Sequence, residues 1–242
     1  MSATPHDPVP ASPRWKPLDA RQRRVLGVMI EKAKTTPAAY PMTVNAIVTG
    51  CNQKNNRDPL TAYDDIDVEK ALDQLRTLGV VTEIDWMGRV SKFKHLAYEW
   101  FGVSRAELAV LAELLLRGPQ QLGELRARAA RMEPIADLTE LKPIVDSLVA
   151  RKLMVELSPP GRGQVVTHGV YPANEMSEVR ATTSGSAPRV AGREPGESPR
   201  EAAPVRERAS GELDALAAEV AELRAEMERL RDRVRELEGR TG

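Results

Sequence analysis

One order of segments runs through this chain twice, and few folds accommodate such a pattern. The first pass begins with "LDARQRRVLGVMIEKAK", where Leu18, Val25, Leu26, Val28, Met29 and Ile30 recur at helical spacing behind Asp19, a suitable N-cap. "TVNAIVTGCNQ" reads as a shorter helix capped by Thr43, with Pro41 before it. "DVEKALDQLRTLGVV" places Val68, Ala71, Leu72, Leu75 and Leu78 on one face and stops at Gly79. Alternation through Val81, Ile84 and Trp86, a turn at Met87-Gly88, and resumption at Val90 and Phe93 then predict a β-hairpin.

The second pass opens at "SRAELAVLAELLLRG", with Ser104 and Glu107 in capping-box spacing and Gly118-Pro119 as its stop. A short helix follows in "QLGELRARAARM". A third follows in "TELKPIVDSLVARK", whose Pro143 is expected in the first turn, where proline is tolerated. "LMVELSPPGRGQVVTHGVYP" closes with two strands about a Pro-Gly turn. Three helices and a hairpin, twice, is the plan of a tandem winged-helix protein, mainly α with small β-hairpins. One such unit buries little apolar area alone, so two side by side are physically sensible.

The expected boundaries follow from composition. Residues 1–17 form a proline-rich disordered arm, 18–98 the first winged-helix domain and 99–173 the second. Residues 174–211, rich in Ser, Pro, Gly, Ala and Arg, form a flexible linker. Residues 212–238 form a coiled coil: Leu213, Leu216, Val220, Leu223, Met227, Leu230, Val234 and Leu237 alternate spacings of three and four, with leucine at every d position. In a parallel homodimer the facing charges are Glu219 with Arg224, Glu226 with Arg231, and Arg233 with Glu238, all opposite in sign. An antiparallel pairing opposes Arg224 to Arg231. The charges select the parallel arrangement, and the seam Leu216 to Leu237 carries dimerisation.

Lysine plus arginine and aspartate plus glutamate number 35 each, so no strongly basic character declares a nucleic-acid binder. The single cysteine, Cys51, excludes an internal disulfide and a multi-cysteine zinc site, and suits a reducing compartment. Its place at the end of an apolar helix suits a buried small side chain. With no signal-like apolar segment at the N-terminus and no membrane-length apolar window, a cytoplasmic protein is expected. His6, His95 and His168 stand far apart, none with a cysteine or second histidine at ligand spacing. Phosphate-loop, nucleophile-elbow and dinucleotide motifs are missing from the sequence. The expectation is a non-enzymatic protein with no cofactor and no metal.

Double-stranded DNA is the default partner of a winged helix, the third helix entering the major groove and the wing tracking phosphates. Residues 14–98 hold 14 basic and 10 acidic side chains, and the wing "GRVSKFKH" concentrates Arg89, Lys92 and Lys94, with His95 beside them. On a strand Lys92 and Lys94 share one face while Phe93 packs on the other. Gln74 and Arg76 are the helix-face candidates for base edges, although Glu69, Asp73, Asp64, Asp65 and Asp67 would repel phosphate. The same faces suit a protein partner, so the alternative is an interaction adaptor.

"CNQKNNRDP" is the densest polar stretch. Asn52, Asn55 and Asn56 tolerate left-handed backbone and can end a helix, while Lys54 and Arg57 sit at its negative end. Asp58 before Pro59 is directed to extended geometry. Structural punctuation accounts for every residue type. The functional counterpart is a phosphate or partner contact through Lys54, Asn56 and Arg57.

The order "YPMTVNAI", "CNQKNNRDP", then "RGPQ" and "GELR" resembles the YceH-like family of uncharacterised bacterial proteins over roughly residues 18–172. Within the polar stretch Asn52, Gln53, Lys54, Asn56, Arg57, Asp58 and Pro59 match its motif. Ala33 stands where that family would have an acidic residue. The resemblance implies a tandem winged-helix fold, often with a C-terminal coiled coil, and carries no catalytic residue.

Overall fold

The computed structural model describes residues 15–84 and 90–185. In chain order it contains α1 (Ala20–Thr35), a 3-10 turn (Pro37–Ala39), α2 (Val44–Cys51), α3 (Asp65–Thr77), β1 (Val81–Ile84), β2 (Lys92–His95) and α4 (Ala97–Phe101). There follow α5 (Arg105–Arg117), β3 (Gln120–Gln121), α6 (Leu122–Ala129), α7 (Leu138–Ala150), β4 (Met154–Glu156), β5 (Val165–His168) and α8 (Ala173–Gly185). The fold class is α+β, helical with small antiparallel strand pairs.

Local capping sets the helix starts as the sequence predicts. Asp19 accepts the Gln22 N–H, Thr43 accepts that of Ala46, and Ser104 with Glu107 closes a capping box. Gly79 and Gly118 follow α3 and α5 with φ of +76° and +74°. Helix α7 departs from expectation. Asp137 captures the N–H groups of both Thr139 and Glu140, so the helix starts at Leu138 and Pro143 lies inside it, beyond the first turn.

The two passes repeat down to single hydrogen bonds. In the first, Val80 donates to Leu75 O and Leu96 to Val80 O. In the second, Leu153 donates to Leu148 O and Gly169 to Leu153 O, each residue 73 positions later. The same offset relates β1–β2, where Val81 faces His95, to β4–β5, where Met154 faces His168. Both passes also add backbone ahead of their second helix to the outer hairpin strand. Met42 exchanges two hydrogen bonds with Phe93 (3.1 and 2.8 Å), and β3 pairs with β5 to give the strand order β3-β5-β4. Nothing in the local pattern of Gln120–Gln121 marks a strand.

The halves share one core. Every residue of α1 from Arg23 to Ile30 and on to Glu31 is buried, and so is α5 from Glu107 to Leu116. A helix covered all round is a central helix. These two pack on each other at Gly27, where an added Cβ would stand 3.0 Å from Leu116 Cδ2 and 3.2 Å from Leu115 Cβ. Leu18 N–H donates to Val170 O at 2.8 Å, fastening the first helix's start to the far side of the last strand. Residues 18–98 and 99–173 therefore fall within one compact unit rather than two separable bodies.

Two ends differ from expectation. Trp15, inside the expected disordered arm, packs on the core. Helix α8 occupies 173–185, where composition predicted linker from 174; Arg23 donates to Glu175 in its first turn at 2.5 Å. The remainder of the linker and the heptads of 212–238 lie outside the described residues. No described helix is long and apolar enough to cross a membrane.

Candidate interaction surfaces

The hairpin β1–β2 stands beside α3 and the start of α2, and the space between them is an open groove of about 660 Å³. Its lining includes the apolar Val44, Leu72, Val90 and Phe93, the carboxylates Asp65, Glu69, Asp73 and Glu83, and the neutral Thr43, Asn45 and Ser91. Among the described residues the one cation lining it, Arg76, is held 3.0 Å from Glu83 and 3.4 Å from Asp73. Ile66, on the exposed side of α3, is 73% exposed and Val90 72%. The α3 surface thus offers negative charge and apolar area together. Phosphate would be repelled from it, whereas lysine and arginine side chains would be attracted.

The residues expected to contact DNA separate. Lys92 and Lys94 project to solvent from β2 while Phe93 and His95 turn inward, as the alternation predicts. Arg89 lies outside the described residues. Gln74 is half-buried and accepts a hydrogen bond from Gln22 Nε2 at 3.1 Å, which ties it to α1. Arg76 is 43% exposed and pairs with its two carboxylates at the surface. His95 is a correction to the basic-wing picture: it is buried, and burial lowers its imidazole pKa to about 4, opposed by Glu99 and reinforced by Lys34 and Lys94. At neutral pH it is uncharged.

The second half offers no stronger basic face. On α7, Lys142 pairs with Asp146 at 3.1 Å on the exposed surface. Arg151 is drawn inward to Gly102 O and Glu107. Arg162 is exposed in the β4–β5 turn.

The polar stretch 51–59 resolves into structure. Asn52 caps α2, and its side chain gathers the returning loop: Nδ2 donates to Tyr63 O at 2.7 Å and Oδ1 accepts from Tyr63 N–H at 2.9 Å. Asn56 adopts φ +60° and its Oδ1 accepts from Arg117 at 3.0 Å. Arg57 is the main correction. Its side chain is fully buried, donates through Nε to Gly50 O at 2.9 Å, and forms an ion pair with Glu31 at 2.5 Å. It is unavailable to a phosphate or partner; only Lys54 of the three candidates is exposed.

Glu31 is also bound by Arg131 at 2.5 Å, and Arg131 reaches Glu113 at 3.1 Å. Arg117 Nε lies 3.1 Å from Glu113 Oε1, near enough to pair though off the line of a hydrogen bond. Burial would raise the Glu31 pKa, but the Arg57 and Arg131 guanidiniums outweigh it and hold the carboxyl below its ordinary value. This charged chain crosses between the halves, from the α2–α3 loop through α1 to α5 and the α6–α7 loop. Cys51 lies in the core beneath it, and burial pushes its thiol pKa up to about 12, the character of an inert side chain. Among the described residues no cluster of three metal-ligating side chains occurs.

Sequence reasoning missed the acidic groove as a unit, since Glu83 and Asp65 approach each other only through the fold. The carboxylates of α3 were visible, and their count was the available signal.

Comparison with known proteins places these features in a wider set. The family model described as "Protein of unknown function, DUF480" matches residues 18–162. A UPF0502 protein of Rhodopirellula baltica is 51% identical over 160 residues, 66% of this chain and 68% of that protein. A UPF0502 protein of Geobacter sulfurreducens is 50% identical over 128 residues, 53% and 58% of the two chains. One from Paracidovorax citrulli is 45% identical over 143 residues, 59% and 61%. The matched stretch thus spans about three fifths to two thirds of these relatives' lengths.

Proposed function

The chain belongs to the DUF480 family of proteins of unknown function, and we propose that it is a non-enzymatic interaction adaptor built on two fused winged-helix units. Its partner-binding surface is the groove between α3 and the β1–β2 wing. The observation that carries this reading is the groove's composition: four carboxylates beside four apolar side chains, with the one arginine among the described lining residues already paired. Such a surface fits a protein segment bearing lysine or arginine beside apolar side chains. The heptads of 212–238 would pair two copies in parallel, presenting two grooves and raising effective affinity without new contacts.

A second reading rests on Lys92 and Lys94, exposed side by side on β2, which could neutralise phosphates of duplex DNA. Fluorescence anisotropy across a salt series separates the two. The adaptor reading expects weak duplex binding even at low salt, and binding of a lysine–leucine probe peptide that is lost on Glu69→Lys or Asp73→Lys. Tight duplex binding, with a salt slope flattened by Lys92→Ala and Lys94→Ala, would overturn it in favour of DNA. The expectation of a homodimer is checked by light scattering of the full chain at tens of micromolar.

A further inference from the structure

A second cleft, about 430 Å³, opens where the two halves meet, and none of its residues belongs to the groove above. Its lining includes Arg23 and Arg24 of α1, Tyr63 of the long loop, Arg117 of α5, and His168 and Tyr171 beyond β5. The volume is that of a small-molecule site. Three guanidiniums line it, and two have a carboxylate partner. Arg23 pairs with Glu175 at 2.5 Å and stacks over Tyr171, 4.5 Å from the ring centre. Arg117 pairs with Glu113.

Arg24 is different. It is 4% exposed and makes no ion pair among the described residues. Its recorded bonds go only to backbone oxygens: Nη2 to Pro59 O at 2.6 Å and Nη1 to Cys51 O at 3.5 Å. A guanidinium has five N–H donors, so most of its fork is unused. A buried cation without a counter-ion is unfavourable, and proteins rarely keep one without use. Asp58 also lines the cleft, but it is exposed and contacts no cation within ion-pair distance among the described residues.

A second observation is independent of Arg24. His168 lines the same cleft, is 1% exposed, and its Nδ1 has no hydrogen-bond partner. Its ring lies stacked on Tyr171, with centroids 3.9 Å apart. Buried polar atoms are nearly always satisfied, and this one is a polar group in the cleft's lining that the fold leaves unpaired. Tyr63, Leu115 and the two prolines 59 and 119 supply apolar walls, while the Tyr171 ring is taken up by Arg23 and His168.

We propose that this cleft binds a small flat monocarboxylate, an effector whose carboxylate takes the free fork of Arg24 and whose body lies against Tyr63 and the prolines 59 and 119. Arg24 is the lining guanidinium without an ion pair among the described residues, and its planar fork suits bidentate carboxylate recognition. Because the lining comes from both halves, occupancy would bridge them.

Isothermal titration of the full-length protein with benzoate, and with benzamide as its neutral counterpart, tests this at constant ionic strength. Benzoate should bind saturably at one per chain and benzamide at least about tenfold more weakly, the margin of one charge-assisted pair. Arg24→Gln, with folding verified by circular dichroism, should weaken benzoate by about tenfold or more, while Asp58→Asn should tighten it several-fold by removing a competing carboxylate. Absence of saturable benzoate binding, or equal binding of benzamide, overturns the proposal. So does an affinity unchanged in Asp58→Asn, a surface variant that remains informative if Arg24→Gln does not fold.

Discussion

The two halves solve the same packing problem with opposite treatments of charge. In the second, Arg151 and Glu107 join neighbouring elements with the arginine side chain 34% exposed and the glutamate 12%. In the first, Arg57 and Glu31 make the corresponding kind of contact with 0% and 3% exposed. The difference traces to chain length between the second and third helices. Eleven residues separate the caps Asn52 and Asp64, against six between Ala130 and Asp137. The five additional residues allow the loop to carry Arg57 back over Gly50 and into the junction with α5. The longer loop thus buries Arg57 on Glu31, and Arg131 from the shorter loop joins the same carboxylate from the other half.

The largest effect should come from breaking that fastening. Glu31→Ala leaves Arg57 and Arg131 facing each other without their shared carboxylate, and should cost about 3–5 kcal/mol in urea unfolding. Glu107→Ala, at the more exposed pair, should cost about 1 kcal/mol. Equal losses would mean that the halves do not differ in the way described.

Acid provides the next test. The His95 pKa is depressed, so between about pH 6.5 and 4 the unfolded chain takes up a proton that the native state refuses. Its contribution is complete above pH 6.5 and falls as pH drops, by on the order of 2–3 kcal/mol over that window. Burial and Arg23 lower the His168 pKa as well, so each half contributes one such histidine. His95→Gln should flatten the dependence of stability on pH without abolishing it.

Glycines sharpen the comparison further. The second helix of each half contains one. A Cβ on Gly50 would lie 2.5 Å from Val28 Cγ1, whereas Gly123 has nothing within 4 Å. Gly50→Ala should therefore destabilise by about 1–3 kcal/mol, since a helical valine is stiff at χ1. Gly123→Ala should stabilise by up to about 1 kcal/mol through helix propensity. Thermal melts that moved the same way would contradict the stated packing.

The smallest effect concerns the residues that end the third helices. Gly79 has φ +76° and Lys152, 73 positions on, φ +59°. Gly79→Ala meets no atoms but adopts a left-handed backbone, at a cost of about 1 kcal/mol. Lys152→Gly should recover about the same amount.

Much of this was legible locally. Asp19, Thr43, Ser104 and Gly79 act within a few residues of themselves, and short-range rules identify them. The inward face of β2 followed from alternation alone. What escaped is long in sequence: Arg57 meets Glu31 across 26 residues, Arg131 meets it across 100, and Met42 pairs with Phe93. The same limit explains Gln74 and Arg76. A helix-face pattern tells that they lie on the surface of α3, but not that Gln22 and Glu83 occupy them. The paired arginines 23 and 24 interrupt an otherwise apolar face, and that interruption was the available hint of the cleft between the halves.

The tie between Leu18 and Val170 also bears on biosynthesis. Helix α1 leaves the ribosome early, yet the elements that cover its second side, α5 and the strand before Val170, are made well after it. The first three helices can therefore gather during translation but cannot close. Their exposed flank awaits later residues, and a truncated product ending near residue 98 would present that flank as an adhesive surface.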